Sequence, residues 1–235
     1  MVLDMHTHIL PGIDDGSRHT GDSIEMLGME VKQGITHIVF TPHFYAQKVS
    51  VEKFLSRREH SSVHLKEKLQ DTKLDLQLYC GAEVYYFPGI GKADMLPQLC
   101  IEGTDIVLLE MPFAQWDKQM VDDVRKIIEK QRLTVVLAHV ERFIGFQKDK
   151  SAWDEMMKLP LYTQLNGECF LHWRSRRFGL KHLQERDNQV LLGSDCHNLT
   201  SRQPNLQEAR DIIRKKLGAD TLEEIDALGK DLLHI

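Results

Sequence analysis

Val2-Leu3-Asp4-Met5-His6-Thr7-His8 is a short apolar run that ends in two histidines separated by one residue. Side chains alternate along a strand, so His6 and His8 point to the same side. The ending recurs along the chain. Residues 35–41 lead to His43, 74–79 to Glu83, and 105–110 end in Glu110. Residues 134–138 lead to His139, and 190–193 lead to Asp195-Cys196-His197. Only the segment 161–166, closing in Gln164-Leu165-Asn166, lacks a strong ligand type. Imidazoles and carboxylates bind divalent first-row metals. Placing them at the same end of successive strands is the layout of an α/β-barrel active site.

The stretches between these segments read as helices. Thr20 or Asp22 caps one that runs to about Gln33 and stops at Gly34. Others cover 51–69, 117–130, 149–158, 178–186, 205–216 and 221–228, and Val121, Val124, Ile127 and Ile128 give the third an apolar face. Pro42 ends the second strand. Alternation of strand and helix predicts a parallel sheet. The expectation is therefore an α/β fold with seven strands and a single domain over 1–235.

The 235 residues suit one α/β barrel, and 42% hydrophobic with 28% charged residues supports a real core. A net charge of −5 offers no broad attraction to nucleic acid. The local run Arg174-Ser175-Arg176-Arg177 reads as a solvated loop or helix start. No stretch approaches the ~18 apolar residues of a membrane span, so no membrane insertion is expected. Cys80, Cys100, Cys169 and Cys196 lack paired spacing and read as reduced thiols of a cytoplasmic protein. Oligomeric state leaves no mark in the sequence.

Two histidines at this spacing are weak evidence alone. Coincidence strengthens them. His6, His8, His43, Glu83, Glu110, His139, Asp195 and His197 all follow buried-type strands, where such groups are costly unless paired or metal-bound. Asp14 and Asp15 add carboxylates in the first loop. His19, His60, His64, His172, His182 and His234 fall on helices or loops without a ligand-like setting, and His37 reads as a packed strand residue.

His6-x-His8, Asp14-Asp15-Gly16, Thr41-Pro42-His43, Gly81-Ala82-Glu83, Glu110, Ala138-His139-Val140-Glu141-Arg142 and Ser194-Asp195-Cys196-His197-Asn198 occur in that order. Together they resemble the PHP (polymerase and histidinol phosphatase) superfamily. More narrowly, they resemble its metal-dependent bacterial protein-tyrosine phosphatases of capsule and exopolysaccharide systems. The resemblance covers essentially the whole chain. It implies a distorted (β/α)7 barrel (PHP fold) and three divalent metal ions, with Mn²⁺ favoured and Fe, Zn or Mg compatible with the ligand types. His6, His8, Glu83 and Asp195 would hold one ion. Glu83, Glu110 and His139 would hold a second, with Glu83 bridging. Asp15, His43 and His197 would hold the third, Asp15 being chosen over Asp14. Arg142 and Arg202 would grip the phosphate, while Phe44, Phe113 and Trp116 receive no role.

Charge agrees with this. Three divalent cations carry +6 against −4 from Glu83, Glu110, Asp195 and one loop aspartate, and the surplus of +2 suits a phosphate dianion. Arginine's planar fork matches phosphate oxygens. The implied reaction is hydrolysis of a phosphotyrosine protein, an autophosphorylated bacterial tyrosine kinase, with hydroxide from metal-activated water attacking phosphorus. Phenolate, whose conjugate acid has a pKa of about 10, needs little help from a general acid. The alternative is a small-molecule phosphatase such as histidinol-phosphate phosphatase.

Cys196 to Arg202 also fits C-x5-R, the signature of cysteine-dependent phosphatases. The spacing is short enough to arise by chance. The loop has no glycine to turn its N–H groups inward, and Asp195 beside Cys196 disfavours a thiolate. Cys196 reads as a spacer between two ligands.

Overall fold

The computed structural model describes residues 1–186 and 188–235. Its strands are β1 (Leu3–Thr7), β2 (His37–Phe40), β3 (His43–Phe44), β4 (Gln77–Cys80), β5 (Glu83–Tyr85), β6 (Ile106–Glu110), β7 (Thr134–Leu137), β8 (Tyr162–Asn166) and β9 (Val190–Gly193). Among the described residues all pairings are parallel, in the orders β1-β2-β4 and β3-β5-β6-β7-β8-β9. The parallel α/β architecture read from the alternation is present.

Seven segments were expected, and two of them are broken. Thr41-Pro42 separates β2 from β3, and Gly81-Ala82 separates β4 from β5. Proline has no N–H to donate to a ladder. The breaks let each half pair differently. β2 joins β1 and β4, whereas β3 joins β5. The first and last strands meet through a parallel bridge between Thr7 and Cys196, with His8 N–H donating to Cys196 O at 3.0 Å and Asp195 N–H to His6 O at 2.8 Å.

The helices are α1 (Thr20–Lys32), α2 (Val51–Leu69), α3 (Lys118–Glu129), α4 (Ser151–Met156), α5 (Gly167–Leu171), α6 (Trp173–Glu185), α7 (Leu206–Leu217) and α8 (Asp220–Leu232). Ser50 caps α2 and Asp117 caps α3, each accepting a backbone N–H of the first turn. Val121, Val124 and Ile127 of α3 are fully buried, each contributing about 1.5–3 kcal/mol. The extra helix α5 and the early start of α6 at Trp173 differ from the sequence expectation. Neither segment has an apolar period long enough to announce them. Among the described residues no helix is long and apolar enough to cross a membrane.

Among the described residues the buried apolar side chains form two clusters. The larger includes Val107 and Leu109 with the apolar faces of the helices. The smaller includes Met5, Val39, Ile106, Leu108, Val136 and Leu191. Ile106 and Leu108 share a strand face with Glu110. The smaller cluster thus lies beneath Glu110 at its strand end.

Candidate metal centre

All nine side chains read as metal ligands are brought to one place, each within 4.0 Å of another. His6 and His8 Nε2 lie 3.0 Å apart. Their other nitrogens are committed: His6 Nδ1 faces Gln164 Oε1 at 3.1 Å and His8 Nδ1 faces Asp14 Oδ2 at 2.7 Å. Both partners accept, so a neutral ring carries its proton on Nδ1. The two Nε2 lone pairs then face each other, and the arrangement demands positive charge between them, as a proton or a metal ion. Burial opposes charging these rings. Glu83 and Asp195 outweigh it at His6, and Asp14 with them at His8, so both pKa values stand above the usual imidazole value.

Glu83 is fully buried. Its Oε2 lies 3.3 Å from both His6 and His8 Nε2 and 2.8 Å from His43 Nδ1. Its Oε1 is 2.8 Å from His139 Nε2. Burial would raise this carboxyl, but the charge of His6, the hydrogen bond from His139 and the adjacent His43 ring hold it well below the usual range. Glu110 stands 3.5 Å from His139 Nε2 and 4.0 Å from His43 Nδ1. Burial and the charge of Glu83 push Glu110 up to about 7. Glu83 Oε2, His43 Nδ1 and His197 Nε2 are buried in the cluster without a hydrogen bond. Buried polar atoms normally find partners. Imidazole nitrogens and carboxylate oxygens gathered this way are the donor set of a divalent cation. Among the described residues, ligand atoms within 4.8 Å of one another form four groups: His6-His8-Asp195, His43-Glu83-Glu110 and His8-Asp15-His43-His197 within this cluster, and Asp4-Glu30-Cys196 outside it.

The Asp-Asp-Gly loop sorts its two carboxylates. Asp14 turns inward to His8 and also accepts His43 N–H at 2.9 Å. Asp15 stays at the lip, with Oδ1 3.5 Å from His43 Nε2 and 3.6 Å from His197 Nε2. Gly16 makes this turn possible, because a Cβ there would sit 2.1 Å from the His8 carbonyl oxygen.

Asp195 has a divided role. Its Oδ1 faces His6, His8 and His197 at 3.7, 3.4 and 3.5 Å. Its Oδ2 accepts from Asn166 Nδ2 at 2.9 Å, Arg142 at 3.3 Å and Arg202 at 2.6 Å. Burial would raise this carboxyl, but His6 and His8 hold it well below the usual range. Both guanidinium groups remain partly exposed at the mouth. His139 and Asp195 adopt φ of +29° and +54°. Such backbone costs about 1–3 kcal/mol per non-glycine residue. Gln164 Oε1 holds the His139 N–H at 2.8 Å.

Sequence reasoning missed Gln164 and Asn166. They occupy the one strand end without a strong ligand, yet Gln164 sets the His6 ring and passes a hydrogen bond to Asn166 at 2.9 Å. Their period-two spacing at the same strand end was the available signal. Cys196 points away from the cluster. Its thiol is fully buried, with Sγ 3.8 Å from Glu30 Oε1, and burial with the charges of Glu30 and Asp4 raises it well above a reactive value. The thiolate alternative loses its nucleophile.

The family model of capsular polysaccharide synthesis proteins, CpsB/CapC, matches residues 2–229. The chain belongs to the CpsB/CapC family. Among its CpsB/CapC relatives is the tyrosine-protein phosphatase CpsB of Streptococcus pneumoniae, 28% identical over 235 residues, covering 95% of this chain and 94% of that protein. Another is the tyrosine-protein phosphatase YwqE of Bacillus subtilis, 27% identical over 227 residues, covering 93% and 86%. A solved structure from work on YwqE of Bacillus subtilis and CpsB of Streptococcus pneumoniae, described as unique metal-dependent tyrosine phosphatases, superposes with a TM-score of 0.86 at 23% identity over 99% of this chain and 94% of that one. An amidohydrolase from Bifidobacterium longum shares the fold at a TM-score of 0.57 and 12% identity, covering 100% of this chain and 98% of that one.

Proposed function

We propose that this CpsB/CapC member is a metal-dependent protein-tyrosine phosphatase that hydrolyses phosphotyrosine on a bacterial tyrosine kinase of capsule or exopolysaccharide synthesis, in the cytoplasm. The observation that carries the reading is the division of Asp195 between three imidazoles and two arginines. It sets a phosphate-gripping pair beside a cation-demanding cluster, in a family whose relatives are named tyrosine-protein phosphatases.

His6, His8, Glu83 and Asp195 would hold one ion, Glu83, Glu110 and His139 a second, and Asp15, His43 and His197 a third. The ligand types fit Mn²⁺ without thiolate. Bound divalent metals supply neutral-pH activation of water and charge neutralisation at phosphorus. The chain's own residues do the rest. Asp14 and Gln164 fix the tautomers of His8 and His6 by accepting their Nδ1 protons. Arg142 and Arg202, anchored on Asp195 Oδ2, present their remaining N–H groups to the phosphoryl oxygens and stabilise the charge that develops there. Tyrosine leaves as phenolate, so no side chain need protonate it strongly.

The test is phosphate release from a phosphotyrosine peptide by purified protein with Mn²⁺ and with chelator. Release with metal and none with chelator is the expected outcome. A kcat/KM for histidinol phosphate above that for the peptide would replace this reading with the small-molecule one.

A further inference from the structure

Phe113 lies three residues beyond Glu110, on the loop leaving β6, and is 38% exposed. Its ring stacks on His139 with centroids 6.0 Å apart and planes at 16°. The Arg142 guanidinium lies over the ring, 5.0 Å from its centroid. Phe143 and Phe146 brace it at 5.0 and 6.0 Å. Tyr45 stands in a related place, 5.3 Å from the His43 ring, with Tyr85 5.5 Å beyond. His43 and His139 take different oxygens of Glu83, so each of these two imidazoles has an aromatic neighbour at the mouth.

We infer that Phe113 is the specificity wall of the site, against which the ring of an aryl phosphate rests. The inference rests on the phosphatase reading and deepens it. In phosphotyrosine a single oxygen joins the ring to phosphorus. A phosphoryl group gripped by Arg142, which itself lies on Phe113, therefore leaves the ring within reach of the Phe113 face. An alkyl phosphate such as phosphoserine offers no flat surface there. Aromatic pairs gain about 0.5–1.5 kcal/mol beyond area burial, which is roughly three- to tenfold in affinity.

The test uses metal-loaded wild type, Phe113→Leu and Phe113→Tyr, with metal content measured in each. Calorimetry gives Kd for phenylphosphonate and methylphosphonate. The expected result is a three- to tenfold weakening of phenylphosphonate in Phe113→Leu, methylphosphonate within about twofold, and recovery in Phe113→Tyr. The kcat/KM for phenyl phosphate falls in parallel while that for phosphoserine holds. Equal weakening of both phosphonates means that Phe113 merely props Arg142 and overturns the inference, as does no weakening of either. A wild type that hydrolyses no phosphomonoester when loaded with metal strikes the phosphatase reading instead.

Discussion

Replacing Gln164 by Met removes an amide while keeping the length of the side chain. Gln164 Oε1 accepts from the His139 backbone N–H at 2.8 Å and faces His6 Nδ1 at 3.1 Å. Gln164, His6 and His139 are all buried. Each buried donor left without an acceptor costs about 1–3 kcal/mol. Two such donors, after some relaxation, give about 2–4 kcal/mol. For a chain of this size that corresponds to a Tm lower by roughly 4–16 °C. The His6 ring also loses the partner that fixes its tautomer, and losing such outer partners reduces metal affinity about 10–100-fold. Thermal unfolding in chelator isolates the first effect, and calorimetric Mn²⁺ titration reads the second. A variant with Tm within 2 °C of wild type and unchanged metal affinity would refute the claim that this amide holds the site.

Arg202→Lys keeps the charge but loses the fork that reaches Asp195 Oδ2, so kcat/KM for a phosphotyrosine peptide should fall about 10–100-fold with metal content unchanged. Cys196→Ser should keep activity within about threefold, because the thiol faces Glu30 rather than the cluster, and abolished activity with metals still bound would restore the thiolate mechanism. His182, buried against Thr163, has its pKa lowered by burial to about 4 from an unfolded value near 6.5. The unfolded chain binds that proton first as pH falls, so this contribution to stability is complete above pH 6.5, declines between 6.5 and 4, and is gone below. Its ceiling is about 3 kcal/mol, and the loss of Tm between pH 7 and 5 should be smaller in His182→Gln than in wild type.

The residues that were legible in the sequence are those whose chemistry conflicts with their setting. A histidine or glutamate closing an apolar strand is conspicuous because burial is costly for it, as at Glu83 and His139. Gln164 and Asn166 escaped notice because amides close strands without conflict, and their work appears only when His6 and Asp195 arrive from elsewhere in the chain. The Asp14 and Asp15 pair had a similar limit: they are adjacent, so spacing does not separate them, and only the folded turn at Gly16 shows one facing His8 and the other at the lip. The break at Pro42 was visible as a local signal, but the one at Gly81-Ala82 and the change of pairing partner were not, because register is decided across strands. Phe113 looked like any loop aromatic until His139 and Arg142 were found against it.

The seam between Thr7 and Cys196 has a consequence for how the molecule comes into being. It joins the first strand to the last, so His6 and His8 must wait for nearly the whole chain to leave the ribosome before Asp195 and His197 can face them. Contacts so distant in sequence form slowly, because chain entropy is lost before they repay it. Completion of the proposed metal cage is thereby expected late in maturation, and a nascent fragment ending before β9 should lack the Asp195 and His197 side of it.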